Sequence, residues 1–432
     1  MKNIFFIVML LSAVVVKAQD NVYPAPQQAG SIVITNATVH VGNGQVLNNA
    51  SIVITNGKIA AVGTNVTIPA GATQVNAQGK HVYPGLIATS SNLGLVEIGA
   101  VRATNDVREI GDMNPNVRAI VAYNTDSEVI NTLRSNGILV SNVVPQGSFV
   151  AGQSSAVQLD AWNWEDAAYK MDGGLHVYLP LLMARPRFGG RGGGSESDPV
   201  KEGLKKIDEL KTFLSEAKAY HANTERTTTN LMFESVKNLF DKKQKLFVHA
   251  NTVKQMLIAL DFVKEFGLDV VIVGGSDSWQ IADLLKQNNV SVILESTHNL
   301  PTLPDDDVDQ PYKTAAALQK AGVVYSIADT DAQTRGRNLA FNAGTAATYG
   351  LTKEEALQAI TLNAAKILGI DDKAGSIEVG KDANIVISEG DILDMRTSNV
   401  TDAYIQGRKI DLTDKHKQLN ERYQHKYRLR DF

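Results

Sequence analysis

The sequence predicts an α/β chain: a (β/α)8, TIM-like barrel set between the two halves of a small composite β-sandwich formed by both chain ends. Two observations predict it. Over residues 84–370, short apolar runs alternate with amphipathic stretches. That rhythm implies a parallel sheet covered by helices, and the span is close to the ~250 residues of an eight-stranded barrel. β-type sequence also flanks the span on both sides, at 30–83 and 375–410. A doubly wound sheet is the competing architecture, but no glycine-rich phosphate loop follows a first strand.

In the N-terminal β region, Ser31-Ile32-Val33-Ile34-Thr35-Asn36 recurs identically at Ser51–Asn56. Both copies are β-branched and end in turn residues, so they read as neighbouring strands. Asn56-Gly57 is a hairpin turn ahead of Ile59-Ala60-Ala61-Val62. In the middle, the apolar runs at Gly137–Val140, Leu246–Val248, Asp269–Val273, Val290–Leu294 and Val323–Ile327 read as strands. Helices are expected at Val253–Phe266, Ser278–Gln287 and Tyr312–Ala321. The charged stretch Lys201–Arg226 reads as an outer helix, and Phe188–Ser195 as a glycine-rich loop. Thr352 with Glu355 forms a capping box for a helix that should end near Gly369. Ile385–Ile387 and Ala403–Ile405 return to β, and 411–432 is a basic, helical tail.

A chain of 432 residues suits one large domain plus a smaller one. A net charge of -4 suggests neither a nucleic-acid nor a membrane-surface partner, and the lack of cysteine excludes disulfides, thiolate ligands and a cysteine nucleophile. Residues 1–18 fit a signal peptide: Lys2, an apolar run from Ile4 to Val16, and a cleavage site after Ala18. The mature chain is therefore expected to be exported, periplasmic and soluble, with no membrane span left after cleavage.

Three motifs resemble the amidohydrolase superfamily, and within it the imidazolonepropionase-like group. Val82-Tyr83-Pro84-Gly85-Leu86-Ile87 is similar to the family's lead into barrel strand 1. Ala359–Gly369 is similar to its last barrel helix, and Gly375-Ser376-Ile377-Glu378-Val379-Gly380-Lys381-Asp382-Ala383 to its return into the small sheet. The resemblance covers about residues 30–410. It implies metal-assisted hydrolysis of C–N bonds, in which a divalent ion activates water and a carboxylate moves the proton. Related barrels are often dimers, so a homodimer is compatible with the resemblance, although no residues mark an interface.

The ligand positions depart from the family's pattern. Its strand 1 His-x-His falls on Ser90 and Asn92, and its strand 6 histidine on Gly274. These are poor or impossible zinc ligands. His249 stands at the strand 5 position, and His176 lies where a strand 4 ligand would be sought. The strand 8 aspartate is Asp329 or Asp331, as a catalytic group or as caps pairing Arg335 or Arg337. Glu295 or His298 could complete a site of one divalent metal, zinc for preference; the alternative is no metal. His298 also reads as a loop residue, Asp305–Asp307 as a solvated acidic loop, and Trp162, Trp164 and Trp279 as core or pocket wall. Three functions follow: a hydrolase with impaired or single-metal chemistry, a non-catalytic barrel that binds a small polar ligand or acts as a scaffold, or a metal-free hydrolase using carboxylates and His249.

Overall fold

A computed structural model describes residues 23–183, 198–225, 227–295 and 297–429. The signal-peptide reading of residues 1–18 and the glycine-rich stretch 188–195 lie outside the described residues.

The N-terminal strands are β1 (Ile32–His40), β2 (Val46–Thr55), β3 (Lys58–Gly63), β4 (Thr73–Asn76) and β5 (His81–Pro84). The two copies of the repeat pair with each other, antiparallel, with Ile32 opposite Ile54 and Ile34 opposite Ile52. Asn56 and Gly57 take φ of 50° and 78°, the left-handed pair that a tight hairpin turn between β2 and β3 requires.

Eight further strands build the barrel sheet in chain order. They are β6 (Leu86–Ser91), β7 (Ile138–Val143), β8 (Val150–Gln158), β9 (Ala168–Tyr178), β10 (Lys245–Ala250), β11 (Val270–Gly274), β12 (Ser291–Glu295) and β13 (Tyr325–Ala328). The sheet is nearly closed: Thr89 Oγ1 and Ser326 Oγ meet at 3.0 Å across the gap between β6 and β13. The expected all-parallel (β/α)8 pattern fails at one place. β8 runs antiparallel to both β7 and β9. Only residues 144–149 join β7 to β8, and a single helical turn at Trp164–Ala167 precedes β9. A parallel crossover needs a dozen or more residues, so these connections permit hairpin geometry alone.

The helices outside the sheet follow local signals. Val253–Phe266 starts at a Thr252–Gln255 capping box and stops at left-handed Gly267. The helix expected to run from Thr352 to Gly369 is broken into Lys353–Ala359 and Leu362–Leu368. The break lets the Ile360 carbonyl accept from the Ile87 N–H of β6 at 2.9 Å, which ties the helix pair to the barrel. Lys245 Nζ then donates to the Lys366 and Ile367 carbonyls (2.9 and 2.8 Å) and Lys170 Nζ to Leu368 (3.3 Å), so two cations sit on the C-terminal end of Leu362–Leu368. Lys245→Met removes that cation and leaves the carbonyls short of donors. It is expected to cost about 1–2 kcal/mol, read by urea unfolding at pH 7.

β14 (Ile385–Ser388), β15 (Val400–Ile405) and β16 (Arg408–Lys409) return to the first sheet. β14 pairs antiparallel with β5, setting Ile385 opposite Pro84 and Val386 opposite Tyr83. The hydrogen bonds run through as one sheet, in the order β16-β15-β14-β5-β1-β2-β3 with β4 beside β1, rather than as two separate sheets. The Gly375–Ala383 motif holds this junction together. Lys381 bonds Ser376 and pairs with Glu378, while Asp382 accepts from Lys58 (2.9 Å) and from the Tyr169 hydroxyl of β9 (2.7 Å). A buried ionic cluster links the same parts: Asp160 takes Arg134 at 2.7 Å, Arg408 at 2.9 Å and the Ala25 N–H at 3.0 Å. Among the described residues, no helix is long and apolar enough to cross a membrane.

Candidate active site at the barrel mouth

Barrel chemistry is done where the parallel strands end, and the polar residues gather there. Ser90, buried near the end of β6, donates its hydroxyl to Glu295 Oε1 at the end of β12 (2.8 Å). Burial pushes the Glu295 carboxyl up to about 7; the nearby Asp329 charge adds to this and the Ser90 hydrogen bond opposes it.

His176 on β9 and His249 on β10 lie side by side, Nδ1 to Nε2 at 3.0 Å. The His176 ring stacks on Phe247 (4.8 Å between centroids) and the His249 ring on Tyr178 (3.7 Å). Burial drives His249 down to about 3 and His176 well below its ordinary value, and the neighbouring His249 lowers His176 further. The pair is therefore neutral, with one N–H shared between two rings. His176 Nε2 is buried and has no hydrogen-bond partner among the described residues.

Asp329 directly follows β13 and is buried; its carboxyl accepts the Asp331 N–H (3.1 Å) and faces Arg335 (3.3 Å). Burial raises its pKa, against the Asp331 hydrogen bond and Arg335. Asp331 instead bonds the Thr334 N–H and hydroxyl, closing the turn. Asn92 spends its side-chain oxygen on the Ala332 N–H (3.1 Å), holding the loop after β6 against the loop after β13. Gly274 ends β11 with φ +98°, a conformation that strains any other residue, and a Cβ there would lie 2.4 Å from Asn251 Oδ1, so the Asn251 amide would have to move. His298 is apart from the pair, at 3.2 Å from Thr345 Oγ1 and beside Tyr312. In the acidic loop, Asp306 accepts the Leu303 N–H and Asp307 pairs with Lys313. Trp162 is exposed and packs on Tyr23, Trp164 lies against the core, and Trp279 lines a mouth pocket. That pocket has a volume of about 60 Å³, and Gly274, Leu294, Glu295, Leu300 and Pro301 share its wall with Trp279.

The donor set does not fit the metal that the resemblance implies. A catalytic zinc needs three protein ligands and an open position. Among the described residues, no three His, Asp or Glu side chains are placed to hold one ion. His176 and His249 direct ring nitrogens at each other, Glu295 is engaged by Ser90, and Gly274 supplies no ligand. Glu295 is the residue whose central place the sequence left open. Its signal was a lone acid directly after the buried run Val290–Leu294, where a barrel strand ends.

Comparison with known proteins agrees with the fold. The profile of the amidohydrolase family matches residues 200–410. The chain is 42% identical over 86 residues to an imidazolonepropionase of Thermoplasma volcanium, covering 19% of this chain and 21% of that protein. It is 59% identical over 39 residues to the imidazolonepropionase of Shewanella frigidimarina, covering 9% and 10%. These matches thus span about a fifth of those relatives or less. An amidohydrolase from Thermotoga maritima superposes with a TM-score of 0.74 at 26% identity, over 88% of this chain and 99% of that one. Phenylurea hydrolase B shares the fold, with a TM-score of 0.55 at 17% identity over 89% of this chain and 97% of that one. The chain belongs to the amidohydrolase superfamily, in its imidazolonepropionase-like group.

Proposed function

We propose that this is an exported, periplasmic amidohydrolase-type protein that takes a small polar molecule at its barrel mouth. Hydrolysis of C–N bonds by the family's metal-assisted route is impaired in it. One observation carries the reading: where a metal centre would need imidazoles from strands 1 and 6, the chain has Ser90 bonded to Glu295 and, at Gly274, a left-handed glycine that supplies no ligand. Export rests on the charged start, apolar run and cleavage pattern of residues 1–18.

Elemental analysis of the purified mature protein tests the metal reading. Zinc, manganese and iron are each expected far below one equivalent, with no uptake from excess zinc and no change in His249→Ala. Stoichiometric metal that disappears in His249→Ala would overturn it and restore the one-metal hydrolase.

A second reading, metal-free hydrolysis, is favoured by the raised pKa values of Glu295 and Asp329 at neighbouring strand ends. One carboxylate would take a proton from water as its oxygen attacks the carbonyl carbon, and the other carboxyl would protonate the departing nitrogen. Slow turnover of a dipeptide or ureide by the metal-stripped protein, abolished in Glu295→Gln, would establish it.

A further inference from the structure

The mouth pocket has a one-sided charge balance. Among the described residues, two carboxyl side chains, Glu295 and Asp306, stand on its wall, and no lysine, arginine or histidine does. The remaining lining is neutral: threonines, Asn299, Gln310, and an apolar surface of Trp279, Leu294, Leu300, Pro301 and Pro311. Glu295 sits at the inner end. Ser90 Oγ donates to its Oε1, and the residue is only partly buried, so its carboxyl is open to the pocket. The nearby Arg335 is engaged by Asp329 and is not part of the wall. A carboxylate set in a partly apolar wall, with no cation among the described residues beside it, is met best by a cation from outside. The indole of Trp279 is the side chain best suited to cover the face of a flat cation in the same space.

We infer that the mouth pocket recognises a small organic cation, an ammonium or amidinium group on a short apolar body. Its charged end is held by Glu295 and its body lies against Trp279 and the adjoining leucine and proline side chains. The inference rests on the reading of the mouth as a small-molecule site and adds the charge of the molecule. The raised proton affinity of Glu295 is consistent with it, since a partly desolvated carboxyl with no cation beside it holds its proton more readily than one in water. Arriving at the pocket, the cation displaces that proton, so binding is accompanied by proton release near neutral pH.

Benzamidinium and benzamide share their shape and differ in charge, so they make the test. Calorimetric titration of the mature wild-type protein at pH 8 is expected to show benzamidinium binding at least about tenfold more tightly than benzamide, as a desolvated charge pair requires. Glu295→Gln should remove that preference; Asp306→Asn should weaken the cation only slightly, and Trp279→Ala should weaken both probes. Thermal melts confirm that each variant is folded, and Glu295→Gln is expected to be no less stable than wild type at this pH. Equal or tighter binding of benzamide would overturn the cation assignment while leaving a small-molecule site in place. Binding of neither probe would overturn the assignment as well, and the small-molecule reading would then be judged by hydrolysis and metal assays that do not depend on it. A cation preference that survives Glu295→Gln would also overturn it, because the charge would then be read elsewhere.

Discussion

Asp160→Ala is expected to lower folding stability by about 3–5 kcal/mol, because it strands two buried guanidinium groups at once. Asp160 is 2% exposed, with Arg134 at 4% and Arg408 at 8%. Its two oxygens are divided between Arg134 (2.7 Å) and Arg408 (2.9 Å), and one of them also accepts the Ala25 N–H. Arg408 additionally donates to the Asp160 carbonyl (3.0 Å) and the Ala25 carbonyl (3.2 Å). The cluster thus joins a barrel helix, the end of β8, the chain near residue 25 and β16. Removing the acid leaves charges whose attraction to Asp160 had offset their desolvation. Asp160→Asn keeps the shape but loses the charge and should cost less than alanine, though still more than 1 kcal/mol. Urea unfolding of the three proteins at pH 7 reads the order. An Asp160→Ala loss below about 1 kcal/mol would mean that the arginines find water or other partners.

None of this cluster was visible in the sequence, since Arg134, Asp160 and Arg408 are far apart in the chain and each reads alone as a surface charge. The strands and helices that were legible are those whose cues are local. The Asn56-Gly57 turn, the run Leu246–Val248 and the Thr352 capping box each specify a short stretch by its own residues. β8 was missed because Gly152, Gln153, Ser154, Ser155 and Gln158 make it look like a loop, although every residue from Val150 to Gln158 is buried. Polar groups in that strand are satisfied across space, as where Gln153 Nε2 reaches the Pro115 and Ser235 carbonyls. The candidate site divides in the same way. The expectation that Ser90, Asn92 and Gly274 stand where the family has histidines, and His249 at the strand 5 position, came from motif spacing. The His176–His249 contact and the Ser90–Glu295 pair could not, because each joins side chains from different strands whose register only the folded sheet fixes. Asp329 and Asp331 were equivalent on spacing; in the fold one is buried at the mouth and the other caps a turn.

Acidification is expected to destabilise the protein in a pattern that separates the histidines from Glu295. A buried neutral histidine has its pKa depressed in the folded state, so the unfolded chain binds the proton first. Stability from this source is complete above the unfolded value of 6.5 and falls as pH drops toward the folded value, which for His249 is about 3. Each such histidine removes up to about 1.4 kcal/mol per pH unit over that window. His176 has the same sign. Glu295 has the opposite sign: its folded pKa of about 7 lies above the ordinary 4.5, so the folded state takes up the proton first and the cost of burying its charge is relieved between those values. From pH 6.5 to 4.5 Glu295 therefore offsets about one histidine, and below 4.5 the offset ends while the histidines continue to titrate. His249→Phe, which cannot protonate and keeps a ring against Tyr178, should lose less stability between pH 7 and 4 than wild type. Glu295→Gln, which removes the offset, should lose more over pH 6.5 to 4.5. Chemical denaturation of the three proteins at pH 7, 5.5 and 4 supplies the slopes. Parallel slopes for His249→Phe and wild type would show that the imidazole pair takes up protons in the folded barrel, and that the neutral N–H···N contact is not what holds β9 and β10 together at the mouth.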